Sequence, residues 1–228
     1  MVNEIFYSLQ GEGLLVGVPS VFIRLAGCPL RCQWCDTPYA WDYLSGNELS
    51  NDQILSEIRK YNCRHLVITG GEPMVDSDMQ PRIELSKLTQ TIKAAGDYHI
   101  TIETAGIGFV EALACDLMSI SPKLSNAFNS VSRDSLSNIN INILKQIINQ
   151  FEYQLKFVVD RPDDLVDIKQ LIDELGHIDT CKIMLMPQAV NKKQYLAKAP
   201  MVADLCCKTG YAFSQRLQLM LWDNQTGC

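Results

Sequence analysis

Three cysteines within eight residues constrain this chain more than any other feature of its sequence. They lie in the segment Cys28-Pro-Leu-Arg-Cys32-Gln-Trp-Cys35. Three thiolates this close together can surround one metal centre, whereas a structural zinc site takes four protein ligands. No fourth ligand is evident, because the three histidines are distant and isolated: His65, His99 and His177. A [4Fe–4S] cluster ordinarily takes four thiolates, so three would leave one iron open for an outside ligand.

The other cysteines, the start of the sequence and the net charge indicate the compartment and the kind of partner of such a protein. The sequence has nine cysteines, an odd number, and its start, MVNEIFYSLQGEG, lacks the basic and apolar regions of a signal peptide. We therefore expect no disulfide framework, and expect the six remaining cysteines to be small buried apolar residues. The net charge of −6 disfavours a nucleic-acid partner. The sequence has no apolar run of about 18 residues, the length that would predict a membrane span. A cytoplasmic enzyme is therefore favoured.

Apolar strand patterns alternate with amphipathic helical patterns along the chain. Such alternation predicts a parallel sheet with right-handed crossovers. About six parallel strands are too few for a closed eight-stranded barrel, so we predict an α/β fold with a partial, open TIM-like β/α barrel, formed by one domain over residues 1–228. Strands are predicted at 20–26, 65–69, 99–103, 117–121, 153–159, 182–186 and, as a candidate last strand, 217–221. Helices are predicted at 50–61, 83–95, 138–151, 162–175 and 191–208, and a Ser/Asn-rich loop at 126–140.

Polar residues follow the predicted strands at the point where each strand ends. In a barrel of parallel strands the carboxyl ends meet at one mouth, which is where the chemistry of such folds is found. We therefore expect these segments to converge, although they are far apart in sequence. They are Cys28 to Cys35, Thr69-Gly70-Gly71-Glu72-Pro73, Glu103-Thr104, Ser121-Pro122-Lys123 and Pro187-Gln188.

The cysteine spacing, Cys-x3-Cys-x2-Cys after a first strand, resembles the signature of the radical S-adenosylmethionine (SAM) superfamily. Trp34, an aromatic residue before the last cysteine, fits that signature too. The segment Thr69-Gly70-Gly71-Glu72-Pro73 resembles the superfamily's second motif, a loop that meets the amino group of SAM. A glycine pair allows the backbone close to a ligand, and the Glu72 carboxylate can accept a hydrogen bond from an ammonium group. The resemblance implies that SAM binds the open iron and is cleaved to a 5′-deoxyadenosyl radical, while the protein orients it and excludes water.

The remaining motifs resemble one family within that superfamily, the 7-carboxy-7-deazaguanine synthases of queuosine and deazapurine biosynthesis. They cover nearly the whole chain: the SLQGEG start, the cysteine loop, and the TGGEP, ETAG, SPK and MPQ segments. The resemblance implies conversion of 6-carboxy-5,6,7,8-tetrahydropterin to 7-carboxy-7-deazaguanine with loss of ammonia, and catalytic use of SAM. It also implies a Mg²⁺ ion, a homodimer, and a flavodoxin or ferredoxin as electron donor.

The same resemblance assigns the site residues. Arg24 would pair with a substrate carboxylate, a bidentate task that suits a guanidinium. Thr37 would be the one protein ligand to Mg²⁺, a hard ion that keeps waters and substrate oxygens as its other ligands. Further substrate contacts are Leu9, Gln10, Gly11, Glu12 and Thr69. The SAM site would comprise Trp34, Gly71, Glu72, Glu103, Ser121, Pro122, Lys123, Met186, Pro187 and Gln188.

Several alternatives remain open at this point. Arg24 also suits a structural salt bridge, Thr37 a turn cap, and Lys123 a solvated loop, while residues 10–13 also suit a flexible hairpin. Many members of the family carry a histidine near the C-terminus beside the substrate, and the corresponding stretch here, Gln215-Arg216-Leu217-Gln218, has none. Gln218 is the candidate to replace its hydrogen bond.

Two other function classes compete with the synthase. A small radical SAM activase, which installs a glycyl radical on a partner protein, would share the cysteine loop and the partial barrel. It would not need the SLQGEG segment, Arg24 and Thr37, and it should not bind a pterin. A non-enzymatic metal or iron–sulfur module would need neither the Gly-Gly-Glu-Pro loop nor polar residues at converging strand ends. Cleavage of SAM to 5′-deoxyadenosine in dithionite would exclude such a module.

Overall fold

The strands of the protein lie side by side in the order in which they occur along the chain. The computed structural model describes residues 1–128, 139–223, 225 and 227, and these residues contain one sheet of eight strands. The strands are β1 (Val2–Leu9), β2 (Pro19–Leu25), β3 (His65–Gly70), β4 (His99–Thr104), β5 (Leu117–Ile120), β6 (Tyr153–Val159), β7 (Ile183–Pro187) and β8 (Ala212–Phe213).

Seven of these strands, β2 to β8, run parallel, and the sheet is open, with β1 and β8 at its edges. The prediction of an α/β fold with an open parallel sheet is confirmed. The six strands predicted before the candidate last strand all form, and none of their ends differs by more than one residue from the prediction. Two strands were not predicted. They are the two-residue β8 and the antiparallel edge strand β1, which pairs with β2 so that Glu4 lies opposite Arg24.

Helices follow the strands and cover the sheet. They are α1 (Asn51–Ile58), α2 (Ile83–Ala95), α3 (Ile141–Gln150), α4 (Asp164–Leu175), α5 (Lys192–Thr209) and α6 (Leu217–Trp222). The predicted helix starts have local causes. Ser50 caps α1 in a capping box with Gln53, and the Asn191 side chain accepts a hydrogen bond from the backbone of Gln194 at the start of α5.

The prediction of a last strand at 217–221 is wrong, because this segment is helix α6. Its short apolar run fits a strand or a helix equally well, and only the tertiary contacts decide between them. The backbone N–H of Leu217 donates to the carbonyl of Gly11, 2.9 Å away, and Leu219 is the buried residue of the segment. The segment therefore crosses the mouth of the barrel and does not extend the sheet.

Some predicted features lie wholly or partly outside the described residues. Most of the predicted loop at 126–140 is among them, as are Asn138, where a helix was predicted to begin, and Cys228. In the described part, α3 begins after Asn140, whose side chain caps it. The cysteines outside the cluster loop are free there, but Cys181 and Cys207 are exposed, so the expectation that all six are buried is wrong for these two.

The strands alternate between two faces, and this alternation creates the site. Residues such as Ile23, Ile102 and Leu185 are fully buried in the apolar core. Their neighbours on the same strands point to the other face, because successive side chains of a strand alternate. This second face lines a cavity and carries polar side chains, including Arg24 and Glu103. The sheet thus has the apolar core on one face and the cavity, lined with polar side chains, on the other.

Candidate active site

A cavity of about 570 Å³ opens at the carboxyl ends of the parallel strands. Its volume is in the range usual for small-molecule sites. All but three of the predicted site residues line it: Leu9, Gln10, Gly11, Glu12, Arg24, Cys28, Cys32, Trp34, Cys35, Thr37, Thr69, Gly71, Glu103, Ser121, Lys123, Met186 and Gln188. The predicted convergence of the strand ends is therefore present in the structure. Glu72, Pro122 and Pro187 are not among the lining residues.

The cysteine loop lies over one end of this cavity and is fixed by hydrogen bonds to a distant segment. The backbone N–H of Gln33 donates to the carbonyl of Ala127 (2.9 Å), and the Trp34 indole donates to that of Asn126 (2.9 Å). The Lys123 ammonium lies 5.5 Å from the centroid of the Trp34 ring, a distance at which a cation is attracted to an aromatic face. The loop after β5 therefore supports the cysteine loop after β2.

The three thiols fit an iron–sulfur cluster. All are free and face the same cavity, with Cys28 and Cys32 buried. Burial raises the pKa of the Cys28 thiol to about 11, and it also raises that of Cys32 although Lys123 opposes the shift. Such thiols stay protonated at neutral pH unless a metal displaces the proton. Among residues 1–128 and 139–223, no three His, Cys, Asp or Glu side chains meet at a single-ion site. A four-iron cluster does not require this, because each thiolate binds a different iron.

The loop after β3 packs directly against the cysteine loop. The backbone N–H of Glu72 donates to the carbonyl of Gly27, 2.8 Å away, and that of Gly71 donates to Leu25. A Cβ atom on residue 71 would lie only 2.2 Å from the Gly27 carbonyl oxygen and 2.8 Å from the Cβ of Cys28. Glycine is therefore required at position 71 by the close approach of the two loops.

Glu72 lies behind the cavity wall. Its carboxylate is buried, and it accepts hydrogen bonds from the Thr104 hydroxyl (2.6 Å) and from the backbone N–H groups of Ala105 (2.7 Å) and Met74 (3.1 Å). Burial raises its pKa, although these donors oppose the shift. The side chain thus joins the end of β3 to the end of β4. Its carboxylate oxygens accept their hydrogen bonds from the last residue of β4 and from the loops after β3 and β4.

We predict that Gly71→Ala will reduce cluster content, because the new methyl group must push the loop after β3 away from Gly27 and Cys28. Iron and sulfide bound per protein after anaerobic reconstitution should fall at least about twofold. Gly17→Ala is the matched control, because nothing lies within 4 Å of a Cβ atom at that position. Its backbone has a left-handed φ of +85°, so some loss of stability is expected there without loss of cluster. Equal cluster content in both variants would contradict the prediction.

A buried charge network surrounds Glu12, which also lines the cavity. Its carboxylate lies 2.9 Å from the Lys156 ammonium and 3.1 Å from the Arg216 guanidinium, and it accepts a hydrogen bond from the Gln218 amide (2.8 Å). The Lys156 side chain is only 4% exposed and also lies 3.8 Å from Glu103. Burial alone would raise the pKa of Glu12, but the two cations outweigh it and lower that pKa to about 2. Glu12 is therefore a permanent anion at neutral pH.

The turn after β1 is fixed by side chains from both halves of the chain. The backbone N–H of Leu14 donates to the Gln154 amide oxygen (2.7 Å), and that of Gly13 donates to the Ser214 hydroxyl (3.1 Å). The Gln10 amide donates to Glu103 (3.1 Å). These contacts replace the flexible hairpin that the residue types alone allowed.

Arg24 forms the structural salt bridge that its sequence position allowed, and it also lines the cavity. Its Nε atom lies 2.6 Å from the Glu4 carboxylate, so the structural salt bridge is present. The Tyr39 hydroxyl donates to the same carboxylate (2.9 Å), and the guanidinium lies 5.7 Å from the centroid of the Phe6 ring. The side chain also lines the cavity. The pairing at Nε restricts the guanidinium plane, and among the described residues its two terminal nitrogens have no hydrogen-bond partner.

Sequence reasoning missed two residues of this site, Asp36 and Arg216. The Thr37 hydroxyl donates to one oxygen of Asp36 (2.8 Å), and Arg216 pairs with the other. Arg216 also donates to the carbonyl of Ala189, next to Gln188. The adjacency of Asp36 to Cys35 was the one signal in the sequence. Arg216 gave none, because its partners are far away along the chain.

Comparison with known proteins agrees with this geometry. The chain is 36% identical to the 7-carboxy-7-deazaguanine synthase of Rhodopirellula baltica, over all of this chain and 88% of that relative. It is 35% identical to the synthase of Halobacterium salinarum, over 98% of this chain and 90% of that relative. The chain belongs to the 7-carboxy-7-deazaguanine synthase family. A model of the radical SAM superfamily matches residues 22–123, which include the cysteine loop and the loop after β3.

A solved structure of the same family has the same fold. The crystal structure of QueE from Escherichia coli superposes with a TM-score of 0.66 at 28% sequence identity, over 93% of this chain and 92% of that one. The prediction of a radical SAM enzyme of this family is confirmed, together with its [4Fe–4S] cluster and SAM, and the activase alternative is not supported. Among the helices of the described residues, none has the length and apolar character needed to cross a membrane.

Proposed function

We propose that this cavity converts 6-carboxy-5,6,7,8-tetrahydropterin to 7-carboxy-7-deazaguanine with release of ammonia. One observation carries the proposal. The same cavity is lined by three free thiols and by the polar turn at 10–12 with Arg24 and Lys156. A radical source and a binding site for a polar, carboxylated ring are thus held within reach of each other.

The SAM side of the cavity is formed by the strand ends nearest the cysteine loop. Cys28, Cys32 and Cys35 would hold the [4Fe–4S] cluster, which would supply the one-electron reduction needed to cleave SAM and so to start hydrogen abstraction at C6 of the pterin. The backbone at Gly71 can approach SAM closely, because residue 71 has no side chain. Trp34, Glu103, Ser121, Lys123, Met186 and Gln188 complete this side. Pro122 and Pro187 would position the neighbouring residues that line this side. Glu72 would hold the loops after β3 and β4 together.

The pterin side is built to match a guanine-like ring. The Gln10 amide is fixed, because its nitrogen donates to Glu103 and its oxygen accepts from the backbone N–H of Glu12 (3.1 Å). Amide and carboxylate groups in fixed positions suit the alternating donors and acceptors of such a ring. The free nitrogens of Arg24 would receive the substrate carboxylate. Leu9, Gly11 and Thr69 form the rest of this wall.

A Mg²⁺ ion would bind at Thr37. A single hydroxyl ligand suits an ion that keeps waters and substrate oxygens for its remaining positions. Held beside the substrate carboxylate, the ion would orient the substrate and polarise its oxygens during the rearrangement. The Thr37 hydroxyl already has a fixed direction, because it donates its proton to Asp36.

The proposal extends to the protein as a whole. Residues 1–228 would act as one domain, an assignment supported by a sheet whose strands follow chain order from residue 2 to residue 213. The protein would work in the cytoplasm as a homodimer and receive electrons from a flavodoxin or ferredoxin.

The test is an anaerobic assay of the reconstituted protein. Iron, sulfide, SAM, Mg²⁺, a reductant and 6-carboxy-5,6,7,8-tetrahydropterin are combined, and 7-carboxy-7-deazaguanine is sought by mass spectrometry. We expect product that depends on SAM and increases with Mg²⁺. Formation of 5′-deoxyadenosine without that product would retain the radical chemistry and reject the pterin as substrate.

A further inference from the structure

Arg216 connects three loops of the active site. Its Nε atom lies 3.1 Å from Glu12, on the turn after β1. One terminal nitrogen pairs with Asp36, next to the cysteine loop, and the other donates to the carbonyl of Ala189, beside the SAM side of the cavity. The side chain is only 8% exposed. Every nitrogen of this guanidinium therefore has a partner on a different loop.

Asp36 links Arg216 to Thr37, because its carboxylate contacts both side chains. The Asp36 side chain is 54% exposed and has two hydrogen-bond partners, which restrict its rotamer. One carboxylate oxygen is paired with Arg216, and the other accepts the Thr37 hydroxyl proton over 2.8 Å. A hydroxyl has one proton and two lone pairs. Because the proton is committed to Asp36, both lone pairs of Thr37 are directed elsewhere.

We propose that Arg216 and Asp36 are positioning residues that hold the Thr37 hydroxyl in the orientation required to bind a divalent cation. This inference rests on the proposed Mg²⁺ site. Groups that orient a metal ligand from behind commonly change metal affinity about 10–100-fold when removed. Here the orienting pair ties the cation ligand to Glu12 as well, so the cation site and the pterin side of the cavity share one rigid support.

The several donors of the guanidinium group explain why position 216 is an arginine and not a lysine. Lysine carries one point charge on a flexible stem, whereas arginine presents several donors in a fixed plane. Lysine at position 216 can reach Glu12 or Asp36, but it cannot hold Glu12, Asp36 and the Ala189 carbonyl together. Arg216→Lys should therefore keep the charge and lose most of the orientation, which separates positioning from simple electrostatics.

The test measures cation binding without turnover. Reconstituted protein with an oxidised cluster and 6-carboxy-5,6,7,8-tetrahydropterin, but no SAM or reductant, is titrated with Mn²⁺ as a probe. Free Mn²⁺ is read by electron paramagnetic resonance, and displacement by Mg²⁺ identifies the site. We expect Asp36→Ala and Arg216→Gln to weaken Mn²⁺ binding about 10–100-fold, and Arg216→Lys to lie between wild type and Arg216→Gln. The double variant should bind no more weakly than Asp36→Ala alone.

Controls separate orientation from misfolding. Arg161→Gln removes another arginine whose carboxylate partner, Asp164, lies 3.6 Å away, and it should leave Mn²⁺ affinity unchanged. Cluster content and melting temperature are measured for each variant, and Asp36→Ala decides the question should Arg216→Gln not fold. Unchanged Mn²⁺ affinity in folded Asp36→Ala would overturn the inference and leave the proposed cation site intact. Absence of Mn²⁺ binding to the wild-type complex would overturn the cation site itself, and this inference with it.

Discussion

Replacing any one of Cys28, Cys32 or Cys35 with alanine is expected to abolish SAM cleavage. Each thiolate holds one iron, and the fourth iron must stay open for SAM, so the loss of one ligand leaves two irons without protein ligands. 5′-Deoxyadenosine formed in the presence of dithionite should fall from wild-type levels to background. The absorbance of the cluster should fall as well, because two cysteines do not retain four irons.

The matched control for these variants is Cys207→Ala. Cys207 is a free, exposed cysteine outside the cavity, so its removal should leave both cluster content and SAM cleavage unchanged. All assays must be anaerobic, because the cluster is exposed to solvent at its open iron. Full SAM cleavage by any single variant of the cysteine loop would contradict the cluster assignment.

Glu12→Gln is expected to lower the free energy of unfolding by about 3–5 kcal/mol, the usual cost of removing one partner from a buried ion pair. The amide keeps the shape of the side chain but removes the charge beside Lys156 and Arg216. Within the described part of the chain, Lys156 would then have Glu103, 3.8 Å away, as its remaining anionic partner. Denaturant unfolding of both proteins measures the difference. Glu57→Gln is the control, because the Glu57–Lys60 pair is exposed and its loss should cost less than about 1 kcal/mol.

The free energy of unfolding of wild type and of Glu12→Gln should depend differently on pH. The pKa of Glu12 is lowered from its ordinary value of 4.5 to about 2 in the folded protein, so the unfolded chain binds the proton more readily. Its contribution to stability is therefore complete above about pH 4.5 and is lost as the pH falls towards 2. Between these values wild type should lose stability more steeply than Glu12→Gln. Parallel curves for the two proteins would show that Glu12 is not held as a buried anion.

Much of the fold and site could be predicted because the relevant signals are local. The strand at 153–159 is a short apolar, β-branched run, and its predicted ends match β6. The cysteine loop and the Gly-Gly-Glu-Pro loop are contiguous segments whose chemistry is visible in a few residues. Their convergence followed from the rule that parallel strands end at one edge.

The features that were missed depend on contacts between distant residues. Arg216 contacts Glu12 and Asp36, which precede it by 204 and 180 positions. The two-residue β8 has no pattern of its own and forms because β7 offers an edge. Helix α6 was misread as a strand because six residues show too little periodicity to separate the two. The contact of Glu72 with SAM stays a prediction, and the structure adds that its carboxylate accepts a hydrogen bond from the Thr104 hydroxyl, which the sequence did not indicate.

The contact between the turn at 10–12 and the segment at 216–218 has a consequence for the order in which the site is assembled during synthesis. Synthesis delivers the cysteine loop and the first half of the barrel early, and domains begin to fold while the chain still grows. Glu12 meets Lys156 only after 144 further positions, and Arg216 only after 204. The network around Glu12 can therefore be completed only after residue 216 has been synthesised, whereas the cysteine loop and the segment that supports it, up to Ala127, are made much earlier.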